Sequence, residues 1–96
     1  MDSSHRVRAI LSFVQAADAG SFAAAGRVLG VTSAAVSKNV ASLEAALGVR
    51  LLNRTTRTLN LTDEGTAFLR QARVALEALD AAVDAVAAQR AEPNGR

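Results

Sequence analysis

Residues 20–48 decide the fold of this chain, and they read GSFAAAGRVLGVTSAAVSKNVASLEAALG. The first glycine is expected to end one helix, and the serine after it has the hydroxyl that caps a second helix over residues 22–29. After a tight turn at Gly30, Thr32 is expected to cap a third helix that runs to about Leu47. The sequence therefore predicts two helices joined by a very short turn.

Such a pair of helices predicts a helix-turn-helix over about residues 22–41. The outer side of the third helix has small and polar side chains, which let a helix enter the major groove of DNA. An ordinary solvated face usually mixes both signs of charge, whereas no acidic residue lies between Ser33 and Leu43. The outer face comprises Ser33, Ala34, Ser37, Lys38 and Ala41, and the apolar stripe opposite it comprises Val36, Val40, Leu43 and Leu47.

Helical and strand-like segments flank this motif. Residues 6–19 have apolar side chains at helical spacing and predict a first helix. A short hairpin is expected over about residues 50–61, because threonines and alternating leucines favour strands there. Thr62 then caps a long fourth helix. The predicted fold is mainly helical, with a winged helix-turn-helix domain over residues 5–62 and a linker helix over residues 63–92. The first helix is expected to bury Val7, Ile10, Leu11, Val14 and Ala17.

Charge is concentrated in the middle of the chain. The whole sequence has 11 Lys and Arg against 9 Asp and Glu, but residues 19–62 contain five basic residues and one acid, Glu44. This balance indicates a surface that faces a polyanion, and Glu44 itself is expected to be a helix-terminal or surface charge. The hairpin tip suits phosphate contacts or entry into a narrow minor groove. Its residues are Arg54, Thr55, Thr56 and Arg57.

The fourth helix has apolar residues at alternating spacings of three and four, which is a heptad seam. A helix of close to 30 residues is about 45 Å long and extends well beyond a small domain. We therefore expect the seam to pair two copies into a homodimer. The alternative is that the helix folds back over its own three-helix core. The seam comprises Leu69, Ala72, Leu76, Leu79, Val83 and Val86.

Composition excludes several classes of function. The chain has no cysteine and one histidine, so thiolate metal sites and a histidine-based triad are excluded, and no metal or cofactor is expected. An enzyme is a remote alternative, since the carboxylates are scattered along the chain. No apolar run reaches the roughly 18 residues of a membrane span, and a cytoplasmic location is expected. A protein-interaction module that uses the long helix as an adaptor is the main rival to DNA binding.

Residues 21–65, SFAAAGRVLGVTSAAVSKNVASLEAALGVRLLNRTTRTLNLTDEG, resemble the N-terminal DNA-binding domain of LysR-type transcriptional regulators. The most specific parts are GSF at residues 20–22, AVSKNVASLEAALGVRLL at residues 35–52, and NRTTR followed by LTDEG. This resemblance implies a winged helix-turn-helix, a linker helix that pairs two subunits antiparallel, and regulation of bacterial genes. Double-stranded DNA with a pseudo-palindromic site is the implied partner.

The resemblance also implies roles for individual residues. The recognition helix of the family corresponds to residues 33–47. This chain departs from the family's usual residues at two places, and both affect which bases and phosphates of DNA can be contacted. Many relatives have Gln-Pro where this chain has Ser33 and Ala34, and Val28 stands where an arginine is common. Relatives continue into a two-lobed co-inducer domain, so the chain is expected to be a fragment without a small-molecule effector. The implied DNA contacts are Ser33, Ala34, Ser37, Lys38, Arg54 and Arg57, with the hydroxyls of Ser21 and Thr32 near phosphates.

Overall fold

The computed structural model describes residues 1–55 and 58–91, with the side chain of residue 91 left aside. These residues form three short helices, a two-stranded hairpin and one long helix, which confirms the predicted winged helix-turn-helix with a linker helix. The described chain is elongated, with principal extents of 57 × 25 × 23 Å. The elements are α1 (Ser3–Ala19), α2 (Phe22–Leu29), α3 (Ser33–Leu47), β1 (Leu52–Arg54), β2 (Leu59–Leu61) and α4 (Asp63–Ala91).

Helix α1 differs from its prediction in its start and in its buried face. It begins at Ser3 rather than near residue 6, because the Asp2 carboxylate accepts a hydrogen bond from the His5 backbone N–H at 2.8 Å. The same hydrogen bond lowers the pKa of Asp2. Val7, expected to be buried, is 47% exposed, whereas Phe13 is fully buried. Val14 is buried as predicted, and Ile10, Leu11 and Ala17 are half-buried, so the buried face is only partly shifted from the predicted stripe, toward Phe13.

The core lies between α1, α3 and the base of the β1–β2 hairpin, which is the wing of this fold. Phe13 belongs to the same buried apolar cluster as Val36 and Val40 of α3, and its ring lies 5.7 Å from the Phe68 ring of α4, tilted by 59°. The predicted stripe on α3 is confirmed at Val36, Val40 and Leu43. Leu47 departs from it and is 45% exposed, because it occupies the last turn of the helix.

Gly26 explains how α2 and α3 come so close together. A Cβ atom at Gly26 would lie 2.6 Å from the carbonyl oxygen of Val31, in the turn between the two helices. The Gly26 carbonyl in turn accepts a hydrogen bond from the Val31 N–H at 2.9 Å. A glycine in the middle of a helix costs about 1 kcal/mol of helix stability relative to alanine. The close approach of the two backbones explains why glycine nevertheless stands here.

The hairpin is antiparallel, with Leu52 opposite Leu61. Its strands, Leu52–Arg54 and Leu59–Leu61, lie within the predicted residues 50–61. Thr62 joins the hairpin to α4: its hydroxyl donates to the Arg50 carbonyl at 2.6 Å and accepts from the Gly65 N–H at 2.9 Å. The predicted cap at Thr62 is therefore confirmed, and α4 starts at the root of the wing.

The heptad seam of α4 divides into two halves. Leu69 and Ala72 are buried against the core of their own subunit, and Leu76 is half-buried there. The remaining seam residues, Leu79, Val83 and Val86, are 57%, 68% and 57% exposed. The Arg73 guanidinium pairs with the Asp18 carboxylate, which ties the first half of α4 to the end of α1.

Candidate nucleic-acid interface

The outer face of α3 is exposed and free of acid along its first turns. Ser33, Ala34 and Lys38 are exposed, and Ser37 is half-buried. The opposite side of the helix is anchored in the core by the buried part of the apolar stripe. Small side chains on a rigidly held helix leave room for the walls of a major groove. The structure thus places four of the predicted site residues on one accessible face.

Two helix caps lie beside this face. The Ser21 hydroxyl oxygen accepts from the Ala24 N–H, and the Thr32 hydroxyl oxygen accepts from the Ala35 N–H, both at 3.0 Å. Both predicted caps are therefore confirmed. A hydroxyl that accepts one hydrogen bond retains its own hydrogen as a donor. These groups can cap their helices and donate to a phosphate oxygen at the same time.

A cleft of about 220 Å³ brings together residues that are distant in sequence. Its lining includes Ser21 at the start of α2, Ser33 at the start of α3 and Thr55 on the hairpin. Thr55 also closes the hairpin, since its N–H donates to the Thr58 carbonyl at 3.0 Å. Three predicted site residues from three elements therefore share one cleft. Two of the four predicted wing residues, Thr56 and Arg57, lie outside the described residues.

A larger cleft of about 490 Å³ follows the same side of α3 toward its end. Ser37 and Arg54 both line it, and so does Arg50, an exposed residue that was not among the predicted contacts. The basic count of residues 19–62 contains Arg50, but no motif position singles it out. We add Arg50 to the candidate interface because it shares a cleft with two predicted residues.

Glu44 corrects the sequence interpretation. It was expected to be a helix-terminal or surface charge, but it is only 7% exposed and lines the larger cleft. One carboxylate oxygen, Oε2, accepts from the backbone N–H groups of Leu51 at 2.8 Å and Leu52 at 3.1 Å. The other, Oε1, accepts from the Arg54 guanidinium at 3.1 Å. A carboxylate is tolerated in so buried a position because all of these donors face it.

The pKa of Glu44 reflects this surrounding. Burial raises the pKa of the carboxyl group, but the N–H groups of Leu51 and Leu52 and the Arg54 guanidinium lower it further than burial raises it. The pKa therefore lies below its ordinary value of 4.5. Because the folded-state pKa is depressed, ionised Glu44 stabilises the native state above pH 4.5, and this contribution is lost as the pH falls through the folded-state pKa.

We expect Glu44→Gln to be less stable than the unaltered chain at neutral pH and to lose less stability on acidification. Urea unfolding followed by circular dichroism, repeated from pH 7 to about pH 3, measures the free energy of unfolding of the unaltered chain and of Glu44→Gln at each pH. Glu77→Gln, at an exposed position of α4, is the control and should follow the unaltered chain. Parallel pH profiles for the unaltered chain and Glu44→Gln would show that Glu44 has an unshifted pKa.

Three packed helices, a hairpin beside the second helix of the pair, and a long trailing helix define a winged helix-turn-helix domain. The profile of the family described as "Bacterial regulatory helix-turn-helix protein, lysR family" matches residues 7–66. The chain belongs to this family, and it is the DNA-binding domain of a LysR-type regulator rather than an enzyme. None of the helices in the described part of the chain combines the length and the hydropathy that a membrane-spanning segment requires.

The chain is similar to several bacterial transcriptional regulators. It is 44% identical over 91 residues to an HTH-type transcriptional repressor of Pseudomonas aeruginosa, which covers 95% of this chain and 29% of the relative. It is 45% identical over 83 residues to the HTH-type transcriptional regulator CrgA of Neisseria meningitidis, covering 86% and 28% of the two chains. The chain thus spans less than a third of the length of these relatives.

Solved structures of DNA complexes share the fold. The crystal structure of the CbnR_DBD–DNA complex matches with a TM-score of 0.76 at 38% identity, covering 86% of this chain and 95% of that one. The BenM_DBD/benA site 1 DNA complex matches with a TM-score of 0.77 at 30% identity, covering 83% and 93%. Both of these similar domains were crystallised in complex with DNA.

Proposed function

We propose that two copies of this domain bind a pseudo-palindromic site in double-stranded DNA and regulate transcription in the bacterial cytoplasm. The observation that supports this most strongly is the exposed outer face of α3, which is flanked by two helix caps and the hairpin. The LysR-type domains named above that were solved on DNA support the same partner. In this proposal residues 5–62 form the DNA-binding unit, and residues 63–92 form the linker helix.

Each recognition helix enters a major groove, with Ser33, Ala34 and Ser37 toward the base edges. Lys38 neutralises a phosphate, because its flexible stem places a positive charge at the rim of that face. The hydroxyls of Ser21 and Thr32 donate to backbone phosphates. The wing residues of the proposed surface, beside the adjacent backbone, are Arg54, Thr55, Thr56 and Arg57.

Dimerisation through α4 supplies the second recognition helix, which binds the second half-site of the DNA. Leu79, Val83 and Val86 recur on one side of the helix and leave an exposed apolar strip within the single subunit. An antiparallel copy of the same strip is self-complementary, as a two-fold axis requires. Leu69, Ala72 and Leu76 are also part of the predicted seam, and the first two have little surface left for a partner. We therefore assign the main dimer contact to the distal half of α4.

The salt dependence of binding tests the proposed surface. About three phosphate-contacting cations per subunit, out of the four candidates Lys38, Arg50, Arg54 and Arg57, make about six contacts per dimer, and six contacts give a log-log slope of affinity against salt of about −5. Lys38→Ala removes two of them, so we expect a slope nearer −4 and weaker binding at low salt, with the difference shrinking as the salt concentration rises. A titration of a labelled mixed-sequence duplex by fluorescence anisotropy, repeated at several salt concentrations, gives the slope.

Arg70→Ala is the matched control, since Arg70 is exposed on α4 outside the proposed surface. It should leave the slope unchanged. An unaltered slope for Lys38→Ala would remove Lys38 from the interface. Absence of any duplex binding by the unaltered chain would contradict the proposed function and favour the protein-interaction module.

A further inference from the structure

The wing is attached to the recognition helix through one buried carboxylate. Glu44 lies in the last turn of α3 and binds three donors, one on the residue just before β1 and two on β1 itself. Two of these donors are backbone N–H groups, those of Leu51 and Leu52, so the contact constrains the path of the chain itself. The Leu51 carbonyl meanwhile accepts from the Thr62 N–H at 3.0 Å. The Glu44 carboxylate and the Thr62 N–H thus form hydrogen bonds on opposite sides of the peptide that joins Leu51 to Leu52.

Arg54 extends this attachment to α2. Its guanidinium donates to Glu44 Oε1 at 3.1 Å, and its Cζ lies 5.5 Å from the centroid of the Phe22 ring. The Arg54 side chain is 26% exposed, and that of Glu44 is 8% exposed. A guanidinium that pairs with a carboxylate and stacks on a ring is held in one orientation. Arg54 therefore connects the wing to both helices of the helix-turn-helix pair.

We propose that Glu44 and Arg54 act as one positioning unit that fixes the orientation of the wing relative to the recognition helix. The affinity for DNA depends on this orientation. This inference rests on the proposed DNA-binding function. It assigns Glu44 a role in binding although its charge is repelled by phosphate. It also makes Arg54 a positioning residue whose effect on DNA passes through the wing, rather than an independent phosphate contact.

Charge and positioning lead to opposite expectations for one substitution. Glu44 lines the same cleft as Ser37, so removing its negative charge would tighten DNA binding if electrostatics alone decided affinity. If the carboxylate positions the wing, Glu44→Gln releases Arg54 and weakens the hold on two backbone N–H groups. The wing then loses its fixed orientation, and binding is expected to weaken roughly tenfold.

The experiment compares Glu44→Gln, Arg54→Gln and the double variant on a mixed-sequence DNA duplex. Each affinity is measured at a temperature where circular dichroism shows the variant to be fully folded, so that loss of stability alone leaves the affinity unchanged. We expect both single variants to bind about tenfold more weakly, and the double variant to be no weaker than about the worse single variant. Glu77→Gln, exposed on α4, removes the same charge elsewhere and should not weaken binding.

Several results would overturn the inference. Unchanged or tighter binding by folded Glu44→Gln would show that the carboxylate does not position the wing. Additive losses in the double variant would show that Arg54 contacts DNA independently of Glu44. In either case binding by the unaltered chain leaves the proposed function standing. A failure of the unaltered chain to bind the duplex contradicts the proposed function instead.

Discussion

Gly65→Ala is expected to destabilise the domain by about 3 kcal/mol, although alanine is the better helix former by about 1 kcal/mol. A Cβ atom at Gly65 would lie 2.0 Å from the carbonyl oxygen of Leu51 and 2.9 Å from its carbonyl carbon. Both are backbone atoms, so no side chain can rotate aside. The same carbonyl accepts the Thr62 N–H, and any displacement disturbs the junction of wing and α4. Such a loss is a large part of a typical stability of about 5–15 kcal/mol.

Urea unfolding followed by circular dichroism measures this loss. Ala81→Gly, at an exposed position in the middle of α4, is the matched control for helix propensity. It should cost about 1 kcal/mol, so glycine is the worse residue at position 81 and the better one at position 65. Equal or greater stability of Gly65→Ala would mean that α4 does not approach the wing as closely as described.

Val83→Asp is expected to leave the subunit folded and to abolish the dimer. Val83 is 68% exposed in the single subunit, so its replacement removes little from the core. In the proposed dimer it would place an unpaired carboxylate within an apolar seam near the partner helix. Burial of such a charge should weaken dimerisation about 100-fold or more. Affinity for a duplex with two half-sites should fall as well, because the domain that binds the second half-site is no longer tethered to the first.

Sedimentation equilibrium measures the dimer, and anisotropy titrations with one and two half-sites measure binding. Val74→Asp is the matched control: Val74 is 59% exposed on the same helix but lies outside the seam. It should leave both dimer and affinity unchanged. Dimerisation by Val83→Asp with the strength of the unaltered chain would place the subunit contact elsewhere on the molecule.

The boundaries of the helices could be predicted from single residues, because capping is a local interaction. Ser21, Thr32 and Thr62 each accept a hydrogen bond from the N–H group three residues later, as a cap requires. Gly30, with φ of 74°, ends α2 in the left-handed conformation that favours glycine. Local chemistry of this kind is legible without knowledge of the tertiary contacts.

Features that depend on tertiary contact could not be predicted in the same way. Glu44 reads as an ordinary helix-terminal acid, and only the return of the chain at Leu51 brings donors to it. The heptad seam reads as continuous, but the first half of it packs on α1 and the wing, because α4 begins beside them. Phe13 was missed because the spacing of Val7 and Ile10 defines a stripe adjacent to the one that is buried.

Selection of binding sites from a random duplex library, with the purified chain at physiological salt, tests directly whether the paired domains recognise sequence. We expect enrichment of an interrupted palindrome, with half-sites separated by about 10 base pairs or a multiple of that spacing. Two recognition helices on a two-fold axis require such a spacing. Binding without any enriched sequence, or no binding at all, would contradict the central claim that α3 reads bases in paired major grooves.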